Sequence, residues 1–219
     1  MVYKRASKTF CKSPTVKAVI FDMDGTITKF NLDIDGIKRE ILGDDYNGTL
    51  LEGINKLKGE ERERAEDTLI KKEISAANRT ELNKGVEELL DFLQKKGIKK
   101  ALVTRNNRRS VEVIFKRFGL SFDVVVSRED APPKPDKAQL NAVLMGLGVD
   151  KEDTIFVGDH PMDLEAGRRV GIRTVLIKNR FSQNSLKEAD FVIERMDEVI
   201  DVINDNFFHK PCSHLEKER

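Results

Sequence analysis

The sequence has few cysteines, no tryptophan and no long hydrophobic run. Its two cysteines, Cys11 and Cys212, lie near opposite ends of the chain and do not form the disulfide framework of a small secreted protein. No apolar stretch approaches the ~20 residues that a membrane-spanning helix needs. We therefore expect a cytoplasmic protein that does not act at a membrane.

A net charge of one sign is also missing. The 39 basic and 38 acidic residues leave a formal charge of +1 over 219 residues, which gives no electrostatic basis for binding nucleic acid. Residues 1–16 are the local exception, because they carry basic residues and no acidic ones. We interpret them as a flexible basic leader. An organelle transit peptide is the alternative, although such peptides favour arginine and Arg5 is the only one in this segment.

Short runs rich in Val, Ile and Phe recur along the rest of the chain and are mostly continuous rather than alternating. Such runs are typical of strands that are covered on both faces of a parallel sheet. They predict strands at 17–22, 99–104, 122–126, 153–158, 173–177 and 190–193. Helical periodicity between them predicts helices at 83–96, 109–118, 137–147, 163–170 and 197–205. This alternation predicts an α/β fold with a doubly wound parallel sheet.

Residues 29–82 interrupt the alternation, because no strand is predicted there. Amphipathic patterns predict three helices instead, at 34–42, 50–57 and 60–77. We interpret the charged run at 60–73 as a solvated helix face. The insertion is expected to form a small helical cap.

The rest of the chain is predicted to form a core domain and a C-terminal tail. We predict that residues 17–28 and 83–205 form the core domain and that 206–219 form a flexible tail. His209, Cys212 and His214 in the tail could ligate zinc, but no fourth ligand lies near them, and we favour an unstructured tail.

Two aspartates end the first predicted strand. Asp22 and Asp24 are followed by Gly25, which allows a sharp turn of the backbone. In open α/β sheets, ligands bind at the carboxyl ends of the strands. Two carboxylates so close together repel each other unless a cation or a shared proton stabilises them. The alternative is a turn that contains incidental acidic residues.

Three further groups of polar residues follow later strands. Thr104, Arg105 and Asn106 lie at the end of the second strand, and such a set of donors can hold a phosphate oxygen. Lys134 lies between two prolines that restrict its backbone and suits an anion as a point charge. Asp159 and Asp163 follow the fourth strand and are hard oxygen ligands suited to Mg²⁺.

Each group also has a structural interpretation. Asn107 is predicted to cap the following helix, and Asp136 to cap the helix after the proline-rich loop. Lys134 could be a solvated loop lysine. Asp159 or Asp163 could cap a helix. Taken one at a time, the groups therefore leave the function open.

In this order, the motifs DMDGT, LVT, KPDK and GDHPMD resemble those of the haloacid dehalogenase superfamily of aspartate-nucleophile phosphohydrolases. The resemblance covers about residues 17–180. The insertion is similar to the small helical cap of the subgroup that includes phosphoglycolate phosphatases and β-phosphoglucomutases. The resemblance implies a Rossmann-like core and Mg²⁺ as cofactor.

The resemblance also implies a role for each matching residue. Asp22 would be the nucleophile that forms an aspartyl-phosphate, and Asp24 the general acid and then the general base. Thr104 and Lys134 would hold the phosphoryl oxygens. The resemblance further implies Arg105 and Asn106 as phosphate donors. It places Asp22, Asp24 (through its carbonyl), Asp159 and Asp163 at the Mg²⁺, with Asp159 as a direct ligand and Asp163 either a direct ligand or a residue just outside the ligands.

These roles imply a Mg²⁺-dependent phosphatase that hydrolyses a small phosphorylated metabolite, as a monomer or weak homodimer. Asp24 disfavours dehalogenation, since the resemblance implies that dehalogenases lack this aspartate. The alternatives are a phosphomutase or phosphotransferase with the same intermediate, and a non-enzymatic binding or regulatory module.

Two points concern specificity. His160 departs from the small polar residue usual in the family. We expect it to modify the surroundings of the metal and not to replace a ligand; the alternative is an ordinary loop histidine, which we favour over a catalytic role. Several basic residues could bind a substrate carboxylate or second phosphate: Lys29, Lys38, Arg39, Lys56, Lys58, Arg105 and Arg108.

Overall fold

A computed structural model of the chain describes residues 15–179 and 182–205. The predicted tail, with His209, Cys212 and His214, and all but the last two residues of the predicted leader lie outside the described residues. No helix in the described part is long and apolar enough to cross a membrane.

The predicted strands form one parallel sheet of six strands in the order β3-β2-β1-β4-β5-β6. The strands are β1 Ala18–Phe21, β2 Lys99–Val103, β3 Val124–Val126, β4 Thr154–Gly158, β5 Arg173–Ile177 and β6 Phe191–Ile193. Because β1 pairs with both β2 and β4, the winding of the sheet changes direction beside β1. Ligands bind at such switch points in open α/β sheets.

Helices cover both faces of this sheet, as the continuous apolar strands predict. Val19 and Phe21 of β1 pack in one apolar cluster with α4 (Val86–Lys96), α5 (Arg108–Phe118) and α8 (Val199–Ile203). Ala18 and Ile20 pack on the other face with α6 (Ala138–Leu147) and α7 (Pro161–Val170). The predicted α/β fold with a doubly wound parallel sheet is confirmed. All four residues of β1 are fully buried, which fixes the strand that leads into Asp22.

Several helix boundaries differ from the prediction. α7 begins at Pro161 rather than at residue 163, because proline is well suited to the first turn of a helix. The predicted helix at 197–205 is a 3₁₀ turn, Met196–Glu198, followed by the short α8. Two further 3₁₀ turns, Lys151–Asp153 and Gln183–Glu188, were not predicted.

Between β1 and α4 lie three helices, α1 (Ile34–Leu42), α2 (Leu50–Lys56) and α3 (Gly59–Arg79), here called the three-helix segment. They share an apolar cluster of their own, made of Ile37, Leu50, Ile54, Ala65 and Leu69. α3 packs against α5, where Arg117 donates hydrogen bonds to the carbonyls of Ala77 and Thr80. The segment therefore has a separate apolar interior but is fixed to the rest of the fold along α3.

Candidate active site

Three aspartates meet at the carboxyl ends of the central strands. Asp22 follows β1, Asp159 follows β4, and Asp163 lies in the first turn of α7. All three are buried, and each offers a carboxylate oxygen within 4.8 Å of the other two. The parallel register brings the first two together, because Phe21 pairs with Val157 and the amide of Asp22 donates to the Val157 carbonyl at 2.9 Å.

Lys134 supplies a buried positive charge to this cluster. Its Nζ contacts Asp22 Oδ1 and lies 2.7 Å from Asp163 Oδ1, and its side chain is only 2% exposed. The loop before α6 therefore brings Lys134 into the interior and not to the solvent. Asp136, expected to cap α6, accepts a hydrogen bond from the amide of Ala138 at 2.8 Å, while Lys137 occupies the N-cap position.

Backbone and amide donors hold two of the carboxylates in place. Asp163 Oδ2 accepts from the amides of Asp159 and His160 at 3.1 and 3.0 Å. Asn179, which follows β5, donates its Nδ2 to Asp159 Oδ2 at 2.7 Å. Gly25 lets the loop after β1 approach Asp159 closely, since a Cβ at this position would lie 2.2 Å from Asp159 Oδ2. The carboxylates are thus oriented by the loops around them.

The charges of the cluster shift the pKa values of its members. Burial raises the pKa of Asp22 well above its usual value, and Lys134 offsets this only in part. Burial and then the charge of Asp163 raise the pKa of Asp159 to about 7. Burial lowers the pKa of Lys134, but Asp163 and Asp22 outweigh it, and the net shift is upward. One lysine therefore does not balance three buried carboxylates, and the site favours another cation.

The residues present fit a magnesium ion. Mg²⁺ prefers hard oxygen ligands and is bound through few protein carboxylates, with water or substrate oxygens in its other positions. Three buried carboxylates whose oxygens lie close together supply such donors, and the raised pKa of Asp159 indicates the charge that such a cation would offset.

Asp24 lies beside this cluster and is not one of its three carboxylates. Its Oδ2 accepts a hydrogen bond from Asn106 Nδ2 at 3.0 Å, and burial raises its pKa. Thr104 is buried at the end of β2, where its Oγ1 accepts from the amide of Asn106 at 2.9 Å. All three residues, with Arg105, line the same cavity as Asp22.

That cavity has a volume of about 720 Å³ and lies between the sheet and the three-helix segment. The segment contributes Lys38 and apolar side chains such as Leu50 and Leu69, and the sheet side contributes Arg105. Of the basic residues predicted to bind a substrate carboxylate or second phosphate, Lys38 and Arg105 line the cavity. The other five basic residues, all within the described part of the chain, do not line the cavity. Lys29 pairs with Glu81, and Arg108 pairs with Asp130. Lys56 lies over the Tyr46 ring, and Arg39 and Lys58 are away from the cavity.

Comparison with known proteins agrees with this geometry. The sequence profile of the haloacid dehalogenase-like hydrolases matches residues 16–171. The chain belongs to this family. The resemblance read from the motifs is thereby confirmed, and with it the expectation of a hydrolase of the haloacid dehalogenase type.

Individual relatives show the extent of the similarity. An uncharacterized hydrolase of Saccharomyces cerevisiae is 33% identical over 198 residues, which cover 86% of this chain and 91% of the yeast protein. The pyrophosphatase PpaX of Halalkalibacterium halodurans is 31% identical over 125 residues, covering 54% of this chain and 58% of that protein. The crystal structure of CbbY from Rhodobacter sphaeroides in complex with phosphate shares the fold, with a TM-score of 0.67 at 19% identity over 84% of this chain and 96% of CbbY.

Within this haloacid dehalogenase-like fold, His160 is not an ordinary loop histidine. It is the N-cap of α7, where its Nδ1 accepts from the amide of Met162 at 3.2 Å, and it also lines the cavity. Burial lowers its pKa. The Asp163 side chain also caps α7, by accepting from the backbone amide of His160. Asp163 therefore both caps the helix and belongs to the carboxylate cluster. Asn107 caps α5 as predicted, by accepting from the amide of Ser110.

Sequence reasoning missed two polar residues near the site. Asn179 contacts Asp159, and the only feature of the sequence that could have indicated this contact is a polar residue shortly after the end of β5. Glu73, in the run interpreted as a solvated face, is buried, lines the cavity and contacts Arg128. The interpretation of residues 60–73 as a solvated face is therefore wrong at Glu73, whereas residues 60–64 are exposed as expected.

Proposed function

We propose that the protein is a Mg²⁺-dependent phosphatase that hydrolyses a small phosphorylated metabolite through an aspartyl-phosphate on Asp22. The observation that carries the proposal is the pairing of Asp22 with buried Lys134, beside Asp159 and Asp163, at one wall of a cavity that Asp24 also lines. Phosphoryl transfer needs mainly positioning and positive charge around an anionic site. This arrangement offers both.

Asp22, Asp159 and Asp163 would hold the Mg²⁺, with the backbone carbonyl of Asp24 as a further ligand implied by the family. When bound, the ion supplies positive charge that offsets the carboxylates and the substrate phosphate. Lys134 contacts Asp22 Oδ1 and partly offsets the rise in the pKa of Asp22 that burial causes, which favours the ionised carboxylate that a nucleophile needs. Thr104 and Lys134 would hold the phosphoryl oxygens, with Arg105 and Asn106 as further candidates.

Asp22 and Asp24 divide the chemistry between them. A carboxylate oxygen of Asp22 bonds to phosphorus as the bond from phosphorus to the leaving oxygen breaks, and Asp24 gives its proton to that oxygen. Water then attacks the aspartyl-phosphate, Asp24 takes a proton from it, and inorganic phosphate leaves. Burial raises the pKa of Asp24, which suits a carboxyl that must carry a proton in the first step.

The three-helix segment would act as the predicted cap over a core made of residues 17–28 and 83–205. Its side chains form one wall of the cavity, so they would contact the part of the substrate beyond the phosphate. A cytoplasmic location and a monomeric or weakly dimeric state stay predictions from the sequence.

The test is release of phosphate by the full chain with Mg²⁺, on p-nitrophenyl phosphate, pyrophosphate and a panel of metabolite phosphate esters. Asp22→Asn should lower turnover by at least ~10⁴-fold, since it removes the nucleophile. Asp91→Asn makes the same chemical change at an exposed position on α4 and should leave turnover unchanged. Acid-quenched wild type should carry one phosphoryl group by mass spectrometry.

Two results would contradict the proposal. One is wild-type protein without activity on the whole panel, and the other is full activity in Asp22→Asn. Isomerised or bisphosphorylated sugar products without free phosphate would instead favour a phosphomutase that shares the intermediate.

A further inference from the structure

A chain of buried polar contacts links the three-helix segment to Asp24. It begins at Glu73 of α3, which is 5% exposed. Glu73 Oε2 accepts from Asn107 Nδ2 at 2.6 Å, and its Oε1 pairs with Arg128 Nη1. A buried carboxylate needs such partners, because an unpaired one is costly to bury. Glu73 therefore ties α3 to the loops that follow β2 and β3.

The next contact fixes the side chain of Asn106. Its Oδ1 accepts from both the amide and the Nδ2 of Asn107, at 2.8 and 3.1 Å. With Oδ1 occupied by two donors, the Nδ2 group is the end that faces Asp24, and it donates to Asp24 Oδ2 at 3.0 Å. If the side-chain amide of Asn106 were rotated by 180°, its NH₂ group would face the N–H donors of Asn107, and its oxygen would face the carboxylate of Asp24.

We propose that Asn106 is a positioning residue for the general acid, and that Glu73 and Asn107 make its orientation depend on the three-helix segment. By donating to Oδ2, Asn106 leaves the other oxygen of Asp24 to carry the proton that goes to the leaving group. This inference rests on the proposed function, since it assigns a partner to the acid of that reaction. It differs from the sequence prediction, in which Asn106 binds the substrate phosphate.

The two roles differ in their dependence on the leaving group. A leaving group as weakly basic as p-nitrophenolate needs little help from an acid, whereas an alkoxide needs its proton during bond breaking. Loss of acid positioning therefore slows an alkyl phosphate more than an aryl phosphate. Loss of a phosphate contact slows both esters equally. Benzyl phosphate and p-nitrophenyl phosphate are a suitable pair because their leaving groups are similar in size.

The experiment compares kcat/KM for these two esters in wild type, Asn106→Ala and Asn107→Ser, with Mg²⁺ present. Asn107→Ser would keep a hydroxyl to cap α5 but would lose the amide that joins Glu73 to Asn106. We expect Asn106→Ala to lower the benzyl-to-nitrophenyl ratio at least ~10-fold, a part of the 10²–10⁴ typical of general acid catalysis. Asn107→Ser should lower it by a smaller factor, about threefold.

Arg117→Met is the matched control. It removes another contact between α3 and α5, the hydrogen bonds to Ala77 and Thr80, without touching the chain from Glu73 to Asp24. Its ratio should equal that of wild type. Circular dichroism melts establish that each variant is folded, and Asn107→Ser decides the question if Asn106→Ala does not fold.

The outcomes separate the inference from the function on which it rests. An unchanged ratio in a folded variant, or equal losses for both esters, would overturn the positioning role and leave the phosphatase intact. A lowered ratio in Arg117→Met would show that any loosening of α3 has this effect, and would also overturn it. Wild type inactive on these two esters and on the whole panel of phosphate esters would overturn the phosphatase proposal itself.

Discussion

Lys134 Nζ lies between two carboxylates, in contact with Asp22 Oδ1 and 2.7 Å from Asp163 Oδ1. The lysine comes from the loop before α6, and the aspartates come from β1 and α7. Three parts of the chain therefore depend on one ammonium group for the balance of charge in the buried site.

Replacing this lysine should cost both stability and activity. In Lys134→Met, Asp22 and Asp163 lose their buried cation, and breaking such a pair destabilises proteins by about 3–5 kcal/mol. We expect a loss of that order in urea unfolding with EDTA, a smaller loss with Mg²⁺, and phosphate release at least ~100-fold slower. Lys178→Met removes an exposed pair with Glu194 and should change stability by no more than about 1 kcal/mol. Equal stability of the two variants would contradict the argument.

Binding of Mg²⁺ should depend on pH through Asp159, whose pKa is raised to about 7. Below pH 7 a proton competes with the cation for this carboxylate, so the affinity should rise about tenfold per pH unit and level off above pH 7. Calorimetric titration with MgCl₂ between pH 5.5 and 8.5 measures this. An affinity that does not change with pH would contradict the prediction.

The same raised pKa predicts the stability of the metal-free protein. A carboxyl that binds its proton more tightly in the folded state loses stability as the pH rises from the ordinary value of 3.8 to about 7. Through Asp159, the free energy of unfolding in EDTA should therefore fall across this range. Asp159→Asn should flatten the change, and an unaltered slope in this variant would assign it to other groups.

Asn179 should tune the metal site without touching the metal. Its Nδ2 donates to Asp159 Oδ2 at 2.7 Å, which orients that carboxylate and lowers its pKa. Losing such a supporting contact typically weakens metal binding 10–100-fold. We expect Asn179→Ala to raise the Mg²⁺ concentration for half-maximal phosphate release by about that factor. Asn141→Ala, at an exposed position on α6, should leave it unchanged, and the same result for Asn179→Ala would refute the assignment.

The parts of the fold that follow from local pattern could be predicted from the sequence. α1 has the predicted bounds because Asp33 caps it and Gly43 follows its last residue. The strands that carry Asp22 and Asp159 could be placed because buried parallel strands are continuously apolar. The predicted start of α7 was wrong by two residues. Histidine is not among the preferred N-cap residues, and Pro161, which suits the first helical position, is the sequence marker of the true start.

Contacts between distant residues could not be predicted in this way. Glu73 looks like one more charge in a solvated run, and only the packing of α3 on α5 brings it to Asn107, 34 residues away. Asn179 is a single asparagine after a strand, and only the pairing of β4 with β5 brings it near Asp159. Both depend on the tertiary fold and leave no periodic trace in the sequence.

Gly25 offers a test of how closely the first loop must approach Asp159. Its φ of +96° is disfavoured for any residue with a Cβ, and that atom would lie 2.2 Å from Asp159 Oδ2. Gly25→Ala should therefore displace the Asp159 carboxylate, weaken Mg²⁺ binding at least ~10-fold and slow phosphate release. Gly97 also has a positive φ, +67°, but no atom lies within 4 Å of the position of its Cβ. Gly97→Ala should cost only the backbone strain, about 1–2 kcal/mol of stability, and leave Mg²⁺ affinity unchanged. Calorimetric titration of both variants separates the two effects, because equal Mg²⁺ affinities would mean that the approach of Gly25 to Asp159 has no part in holding the metal.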